Sequence, residues 1–159
     1  MIQINIIIKE NLWIISIVAG ILGVLTLFTP AWGDISGIEI ELGWLWNLFV
    51  EGSYVGLIPL DEPIATFGIL TTIMIIIGTS LLLLGGILKK LKDREINLLY
   101  LIGGILPLIA IIIYMVGVAV EYEGWWSYYT VSAGSILPFI AGGLGIAAGV
   151  FGLMQGRKA

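Results

Sequence analysis

The chain has no cysteine and no histidine in its 159 residues. Without cysteine, the loops cannot be joined by disulfides, and no thiolate is available for catalysis or metal binding. Without histidine, the chain lacks the commonest metal ligand, the usual haem ligand and the usual general base near neutral pH. These absences argue against most enzymes and redox proteins. We therefore expect a protein that is not an enzyme and that binds no cofactor.

Charged residues are also scarce, at 11% of the chain, whereas hydrophobic residues make up 59%. That apolar share is far above the usual value for a soluble domain. A length of 159 residues is enough for one membrane domain with little left for a soluble module. We expect residues 1–159 to form a single membrane domain. Its expected partners are the lipid bilayer, itself and other membrane proteins, and not nucleic acid.

The few charges are sorted by sign along the chain. All seven basic residues lie in three short polar stretches, and eight of the eleven acids lie in the two stretches between them. Because cytoplasmic loops retain Lys and Arg, the pattern predicts a four-pass protein of the cell membrane with both termini in the cytoplasm. The basic residues are Lys9, Lys89, Lys90, Lys92, Arg94, Arg157 and Lys158; the eight acids are Asp34, Glu39, Glu41, Glu51, Asp61, Glu62, Glu121 and Glu123.

Apolar runs separate these stretches and predict four membrane-spanning helices. Asn11 is the expected N-cap of the first helix and Pro30 its stop, while the pattern does not decide whether residues 2–8 extend it. No acid or base falls inside a predicted span, which argues against ion-coupled transport, proton relays and voltage sensing. The predicted helices cover residues 12–29, 64–88, 96–120 and 133–154, with outer loops at 30–63 and 121–132 and an inner loop at 89–95.

The first outer loop is long enough to fold, although three short strands need support from the helix ends, the bilayer interface or a partner. Residues 38–42 alternate between apolar and acidic side chains, which is typical of a strand with one wet face. Residues 44–50 and 54–60 are two further predicted strands, separated by a turn at Glu51-Gly52-Ser53. The predicted fold class is therefore a membrane all-α protein, a four-transmembrane-helix bundle with a small antiparallel β-sheet in the first extracellular loop.

Small residues recur every four positions along the fourth predicted helix. Such rows let helix backbones approach closely, so that dispersion replaces the missing hydrophobic driving force in lipid. The rows fit packing inside the bundle, which we favour, or contact with a second protein chain. One row is Ala141, Gly145 and Gly149, and the other is Ala148, Gly152 and Gly156.

Aromatic residues crowd the second outer loop, with five in the nine residues 121–129. Such clusters form a belt at the lipid headgroups or make protein contacts, because Trp and Tyr dominate interface hot spots. The three tryptophans of the first outer loop are open to the same two interpretations, a headgroup belt or protein contacts. The candidate partner-contacting or packing residues are Trp32, Trp44, Trp46, Trp125, Trp126, Gly145, Gly149 and Gly152.

Eight acids on the outer side, with no base beside them, have several interpretations. A solvated acidic face is the simplest, since repulsion between charges is screened beyond about 10 Å at 0.1 M salt. A basic partner surface and an acidic habitat are alternatives. A divalent cation site needs converging carboxylates, for which Glu39 and Glu41, two residues apart on one predicted strand face, are weak candidates.

Two short motifs carry a resemblance to a known family. Pro30-Ala31-Trp32 follows the first predicted helix, and Gly43-Trp44-Leu45-Trp46 follows it in the first outer loop. In both features the chain resembles claudin-type tetraspan membrane proteins, whose first loop has a Trp, then Gly-Leu-Trp, then two cysteines. Here one residue interrupts the Gly-Leu-Trp element and the cysteines are absent. The resemblance implies side-by-side or cell-to-cell contacts by the outer sheet, with Trp32 and Trp46 anchoring the sheet to the bundle rather than touching ligand.

Two functions follow from these features. The first is a non-catalytic protein that assembles with itself through its outer loops, or that serves as an accessory or structural subunit of a larger membrane complex. The second is a small oligomeric channel whose acidic outer vestibule attracts cations. In the second case the path would be lined by threonines of the second helix, namely Thr66, Thr71, Thr72 and Thr79.

Overall fold

The computed structural model describes residues 2–34, 40–92 and 96–156. Within these ranges the chain is mostly helical, with a small sheet built from both outer loops. The helices are α1 (Ile2–Thr26), α2 (Pro63–Lys92), α3 (Asn97–Glu121), the single turn α4 (Trp125–Tyr128) and α5 (Ala133–Gly156). The strands are β1 (Trp32–Asp34), β2 (Glu41–Gly43), β3 (Leu48–Glu51), β4 (Tyr54–Leu57) and β5 (Thr130–Val131).

Three of the helices are long and apolar enough to cross a membrane, namely Pro63–Leu91, Asn97–Glu121 and Ala133–Met154. At about 1.5 Å per residue, each is as long as the roughly 30 Å hydrocarbon core of a bilayer or longer. These spans indicate an integral membrane protein. The fourth predicted span is not among them, because the apolar helix found there, Asn11–Thr26, is shorter.

The first helix differs from its predicted bounds at both ends. It begins at Ile2, so Asn11 lies inside the helix instead of capping it, and it ends at Thr26. The last turn tightens, since the N–H of Leu27 donates to Val24 and that of Phe28 donates to Leu25. A proline at position 30 disfavours helical backbone at the residue before it, and the helix therefore stops short of residue 29.

The four long helices pack in a ring in which α1 and α3 each contact both α2 and α5. Three side-chain hydrogen bonds join neighbouring long helices in the described part of the chain. The Tyr100 hydroxyl of α3 donates to the carbonyl of Gly85 in α2 at 3.3 Å. Ser16 donates to the carbonyl of Leu82 at 2.7 Å, between α1 and α2, and Thr71 donates to the carbonyl of Ala110 at 3.0 Å, between α2 and α3. In a bundle with so few polar groups, such bonds fix which helix faces which.

Glycines form the contact between α3 and α5. A Cβ atom added to Gly104 would lie 2.5 Å from the backbone nitrogen of Ile146, and one added to Gly145 would lie 2.8 Å from the Cα of Gly104. A Cβ on Gly149 would lie 2.6 Å from the nitrogen of Leu101. The small-residue row thus packs on α3 within the chain.

The sheet has the strand order β4-β3-β2-β1-β5, and every neighbouring pair is antiparallel. Two of its strands were not predicted. β1 follows directly after the first helix, and β5 belongs to the second outer loop and pairs with β1 through Trp32 opposite Val131. The sheet therefore joins the two outer loops.

The predicted strands of the first outer loop are partly wrong. The strand predicted over 38–42 begins only at Glu41, and its residues 38 and 39 lie outside the described ranges. Trp44-Leu45-Trp46 forms a turn rather than a strand, because Asn47 adopts a φ of 68° and the Trp44 N–H donates to Leu48 at 2.8 Å. The predicted turn after Glu51 is confirmed, with Gly52 at a φ of 57° as the first central residue of a two-residue hairpin loop.

Candidate functional site

The end of the bundle that carries the sheet is organised around four aromatic side chains, which we call the aromatic cluster: Trp32, Tyr122, Trp125 and Tyr129. The Trp32 indole is only 6% exposed and packs edge-to-face on Trp125, with ring centroids 5.1 Å apart and an angle of 83°. Tyr129 lies 4.8 Å from Trp32 and 4.3 Å from Trp125, and Tyr122 lies 5.3 Å from Trp125. Such pairs add stability beyond the burial of apolar area.

Two glycines allow the cluster to form. Gly124 has a φ of 79°, a left-handed conformation that glycine adopts without strain, and it turns the chain from α3 into α4. Gly43 lies opposite Trp32 in the β1–β2 pairing, and a Cβ there would overlap the indole ring. The absence of side chains at these two positions thus places Trp32 and Trp125 against each other.

Three other candidate tryptophans hold loops to the bundle. The indole N–H of Trp46 donates to the carbonyl of Leu27 at 2.7 Å, and that of Trp44 donates to Phe28 at 3.3 Å. Both carbonyls lie in the turn that directly follows α1, where the helix no longer supplies hydrogen-bond partners. The N–H of Trp126 donates to Met115 in α3 at 3.2 Å.

A row of carboxylates crosses the sheet. Asp34 in β1 lies opposite Glu41 in β2, and Glu41 lies opposite Glu51 in β3, so the three side chains share one face. The Glu41 carboxylate also lies near the Tyr129 hydroxyl and helps to raise its pKa. In the part of the chain that the structure describes, no group of three acidic side chains is arranged to hold a metal ion. Glu39, the other metal candidate, lies outside that part.

The row of carboxylates changes how Tyr129 titrates. Burial, followed by the nearby negative charges of Glu41, Glu51 and Asp34, raises the pKa of Tyr129 from 10.0 to about 12. Burial, followed by the bond to Glu62, also raises the pKa of Tyr122. Both hydroxyls therefore stay protonated at neutral pH and act as hydrogen-bond donors.

This shift predicts a loss of stability in alkali. A raised pKa favours the protonated hydroxyl of the folded protein, so its contribution is complete below about pH 10 and is lost as the pH rises through about 12. We expect the near-ultraviolet circular dichroism of the aromatic cluster to weaken in this window, and Tyr129→Phe to reduce that weakening. Tyr128→Phe, at an exposed neighbour, is the control. An unchanged alkaline profile in Tyr129→Phe contradicts the expectation.

An open cavity of about 250 Å³ lies between the sheet, the start of α2 and the end of α3. Its lining is almost entirely apolar, and Glu62 supplies the one carboxylate among the lining residues. The Glu62 carboxylate accepts a hydrogen bond of 2.9 Å from the Tyr122 hydroxyl. The lining residues are Trp32, Phe49, Ile58, Pro59, Glu62, Ile64, Tyr122 and Trp125.

The polar residues of the pore interpretation do not converge on one axis. Thr71 donates to α3, whereas Thr79 lies against Gly23 of α1. Thr66 is exposed on the outside of the bundle, and Thr72 is half-buried. Three of the four threonines thus face different surroundings.

Sequence reasoning named Trp32 and Trp125 but missed Glu62, Tyr122 and Phe49 as parts of one site. Glu62 was interpreted only as one of the eight acids of the outer loops. No motif joins these residues, because they come from five separate elements or loops. Comparison with known protein families gives no match for the chain, and comparison with curated proteins gives none either.

Proposed function

We propose that this chain is a four-pass protein of the cell membrane that assembles with copies of itself through the free edge of strand β4. The fourth crossing would be α1, whose 25 residues correspond to about 37 Å of helix. The Lys90 amine lies 4.7 Å from the centre of the Trp13 ring, so the middle of α1 lies level with the end of α2, and the residues before Trp13 extend from that level. Together with the sorted charges, this supports cytoplasmic termini and an outer sheet outside the cell.

The observation that carries the proposal is the edge strand β4, which among the described residues pairs with β3 alone. Proteins usually protect an edge strand with charges, proline or a covering segment, because its unpaired backbone groups bind other strands. The sequence of β4, Tyr-Val-Gly-Leu, contains neither a charge nor a proline. Tyr54, Val55 and Leu57 are each at least 60% exposed. An apolar strand with a free edge fits strand addition by a partner.

The hydrogen-bond pattern identifies the free backbone groups. The Ile58 N–H donates to Asn47, which makes 58 and 47 a hydrogen-bonded pair at the end of the β3–β4 ladder. Because such pairs alternate along antiparallel strands, Gly56 and Tyr54 also bond to β3. Val55 and Leu57 therefore direct their N–H and C=O groups away from β3, toward the edge.

These groups fit a second copy of the same strand. In a two-fold arrangement centred on Gly56, Val55 of each copy lies opposite Leu57 of the other, and four backbone hydrogen bonds form. A register centred elsewhere would use Ser53, which lies in the turn, or Pro59, which lacks an N–H. No charged residue of β4 opposes its copy in this pairing, so the acidic outer face does not prevent it.

Cross-linking tests the pairing directly, because the chain has no cysteine of its own. In the centred arrangement the two Gly56 Cα atoms lie about 4.5 Å apart, a separation that a disulfide can bridge. We expect Gly56→Cys to give a disulfide-linked dimer in intact membranes under mild oxidation. Val131→Cys, in strand β5 at the opposite edge, is the control and should remain monomeric.

A second pair of variants distinguishes pairing through the β4 edge from nonspecific association of apolar surfaces. Val55→Lys with Leu57→Lys should convert the complex extracted in mild detergent to monomers, because two ammonium groups per copy would face each other. Val131→Lys should leave the complex unchanged. A monomeric wild type rules out self-association, and a large complex containing other proteins favours the accessory-subunit function.

A further inference from the structure

The open cavity beside the aromatic cluster combines aromatic rings with a single carboxylate. Four of its eight lining residues are aromatic, namely Trp32, Phe49, Tyr122 and Trp125, and one is a carboxylate. Aromatic side chains surrounding a site with a single acid form the arrangement that recognises organic ammonium groups, because ring faces carry negative charge density. We propose that this cavity binds an organic ammonium ion of the choline type.

The ring geometry supports this assignment. The planes of Trp32 and Trp125 meet at 83°, and those of Tyr122 and Trp125 meet at 52°. The three rings therefore form walls in different directions rather than one flat stack. A tetrahedral trimethylammonium group contacts such walls through several methyl groups at once, whereas a flat ligand would contact only one wall.

The charge of the lining and the volume of the cavity further restrict which ligands can bind. Glu62 is the one charged residue in the lining, so the site favours a cation and disfavours phosphate or carboxylate alone. The Tyr122 hydroxyl occupies one side of this carboxylate at 2.9 Å and fixes its position. The cavity of about 250 Å³ is larger than the roughly 150 Å³ that accommodates a benzene ring, so a choline-sized group fits.

A fully hydrated inorganic cation fits the cavity less well. Its water shell needs polar partners, and the walls other than Glu62 and the Tyr122 hydroxyl are apolar. An alkylated ammonium group carries its charge within an apolar surface, and it is therefore stabilised by both the rings and the carboxylate. Such a group exists as free choline and as the head group of choline lipids, and the cavity lies at the outer ends of α2 and α3, near the headgroup level.

The test uses the full-length protein in a maltoside detergent, which has no choline group. Choline chloride is titrated while tryptophan fluorescence is followed, with sodium chloride at equal ionic strength as the reference. We expect saturable binding of choline only. Glu62→Gln should weaken it about 3-fold, as expected when an exposed charge pair is lost. Asp61→Asn, at the neighbouring acid outside the cavity, is the matched control and should bind like the wild type.

A filled cavity gives an independent test. Ile58→Trp places a larger side chain in the wall and should abolish binding, whereas Val55→Trp, on β4 outside the lining, should not. No saturable binding, or equal weakening by Asp61→Asn and Glu62→Gln, overturns the proposal in favour of a diffuse acidic surface. Lipid nanodiscs then identify the source. If the site binds lipid head groups, phosphatidylcholine competes with free choline, so free choline gives a response in phosphatidylglycerol discs but not in phosphatidylcholine discs. If the site binds the free cation, choline gives a response in both kinds of disc.

Discussion

Gly145→Leu should destabilise the helix bundle by about 3 kcal/mol, at the upper end of the usual cost of overpacking. An added Cβ at this position would lie 2.8 Å from the backbone of Gly104, which cannot move without displacing α3. It would also lie 2.8 Å from a methyl group of Leu82. The measurement is unfolding in a mixed detergent series, followed by far-ultraviolet circular dichroism.

The same helix offers a matched control two residues away. Nothing lies within 4 Å of a Cβ added to Gly143. Gly143→Leu should therefore change stability by about 0.5 kcal/mol or less, as surface substitutions usually do. Equal destabilisation by both variants would mean that the loss does not arise from contact with α3, and helix propensity would not explain it, since leucine favours a helix more than glycine does. If Gly145→Leu instead dissociates a complex without loss of stability, Gly145 contacts a second chain, the alternative interpretation of the small-residue row.

Trp32→Ala should destabilise the outer module, meaning the sheet together with α4, by about 3–5 kcal/mol, the usual cost of truncating a buried large aromatic side chain. The Trp32 ring, in the sheet, contacts both Trp125 and Tyr129. Its removal therefore takes away the aromatic contact between the sheet and α4. The expected result is a loss of near-ultraviolet circular dichroism and rapid proteolysis of residues 48–57. The far-ultraviolet signal of the spanning helices should persist.

Trp46→Ala is the comparison for this experiment. That side chain is 41% exposed, and its main contribution is one hydrogen bond of 2.7 Å to Leu27. Its loss should cost about 1 kcal/mol. If both tryptophan variants open the outer module equally, the module depends on its attachment to α1 rather than on the aromatic cluster.

The sequence predicted the helices well because lipid imposes a simple rule. A run of apolar residues long enough to cross the bilayer has to be helical, since every backbone group needs a partner there. The second, third and fourth predicted spans agree with α2, α3 and α5 to within a few residues. The first differs because its end is set by local bonds of Leu27 and Phe28, which hydropathy does not reveal.

The outer module was harder to predict. β1 and β5 have three and two residues, too few to show an alternating pattern, and they pair across about a hundred positions of sequence. The turn at Trp44-Leu45-Trp46 depends on a positive φ at Asn47, where the surrounding residues favour a strand. The cavity depends on all of these placements together, so its composition could not be foreseen from any one segment.

The pairing of β1 with β5 sets an order of events during synthesis. Thr130 donates to Gly33 at 2.7 Å, and Ser135 donates to Ala31 at 2.9 Å, across 97 and 104 residues of chain. While the ribosome is still making α2 and α3, β1 has no neighbour on one side and Trp32 has no partner ring. The outer module is completed only when β5 has been made and pairs with β1, so a chain that stops earlier would expose the backbone edge of β1.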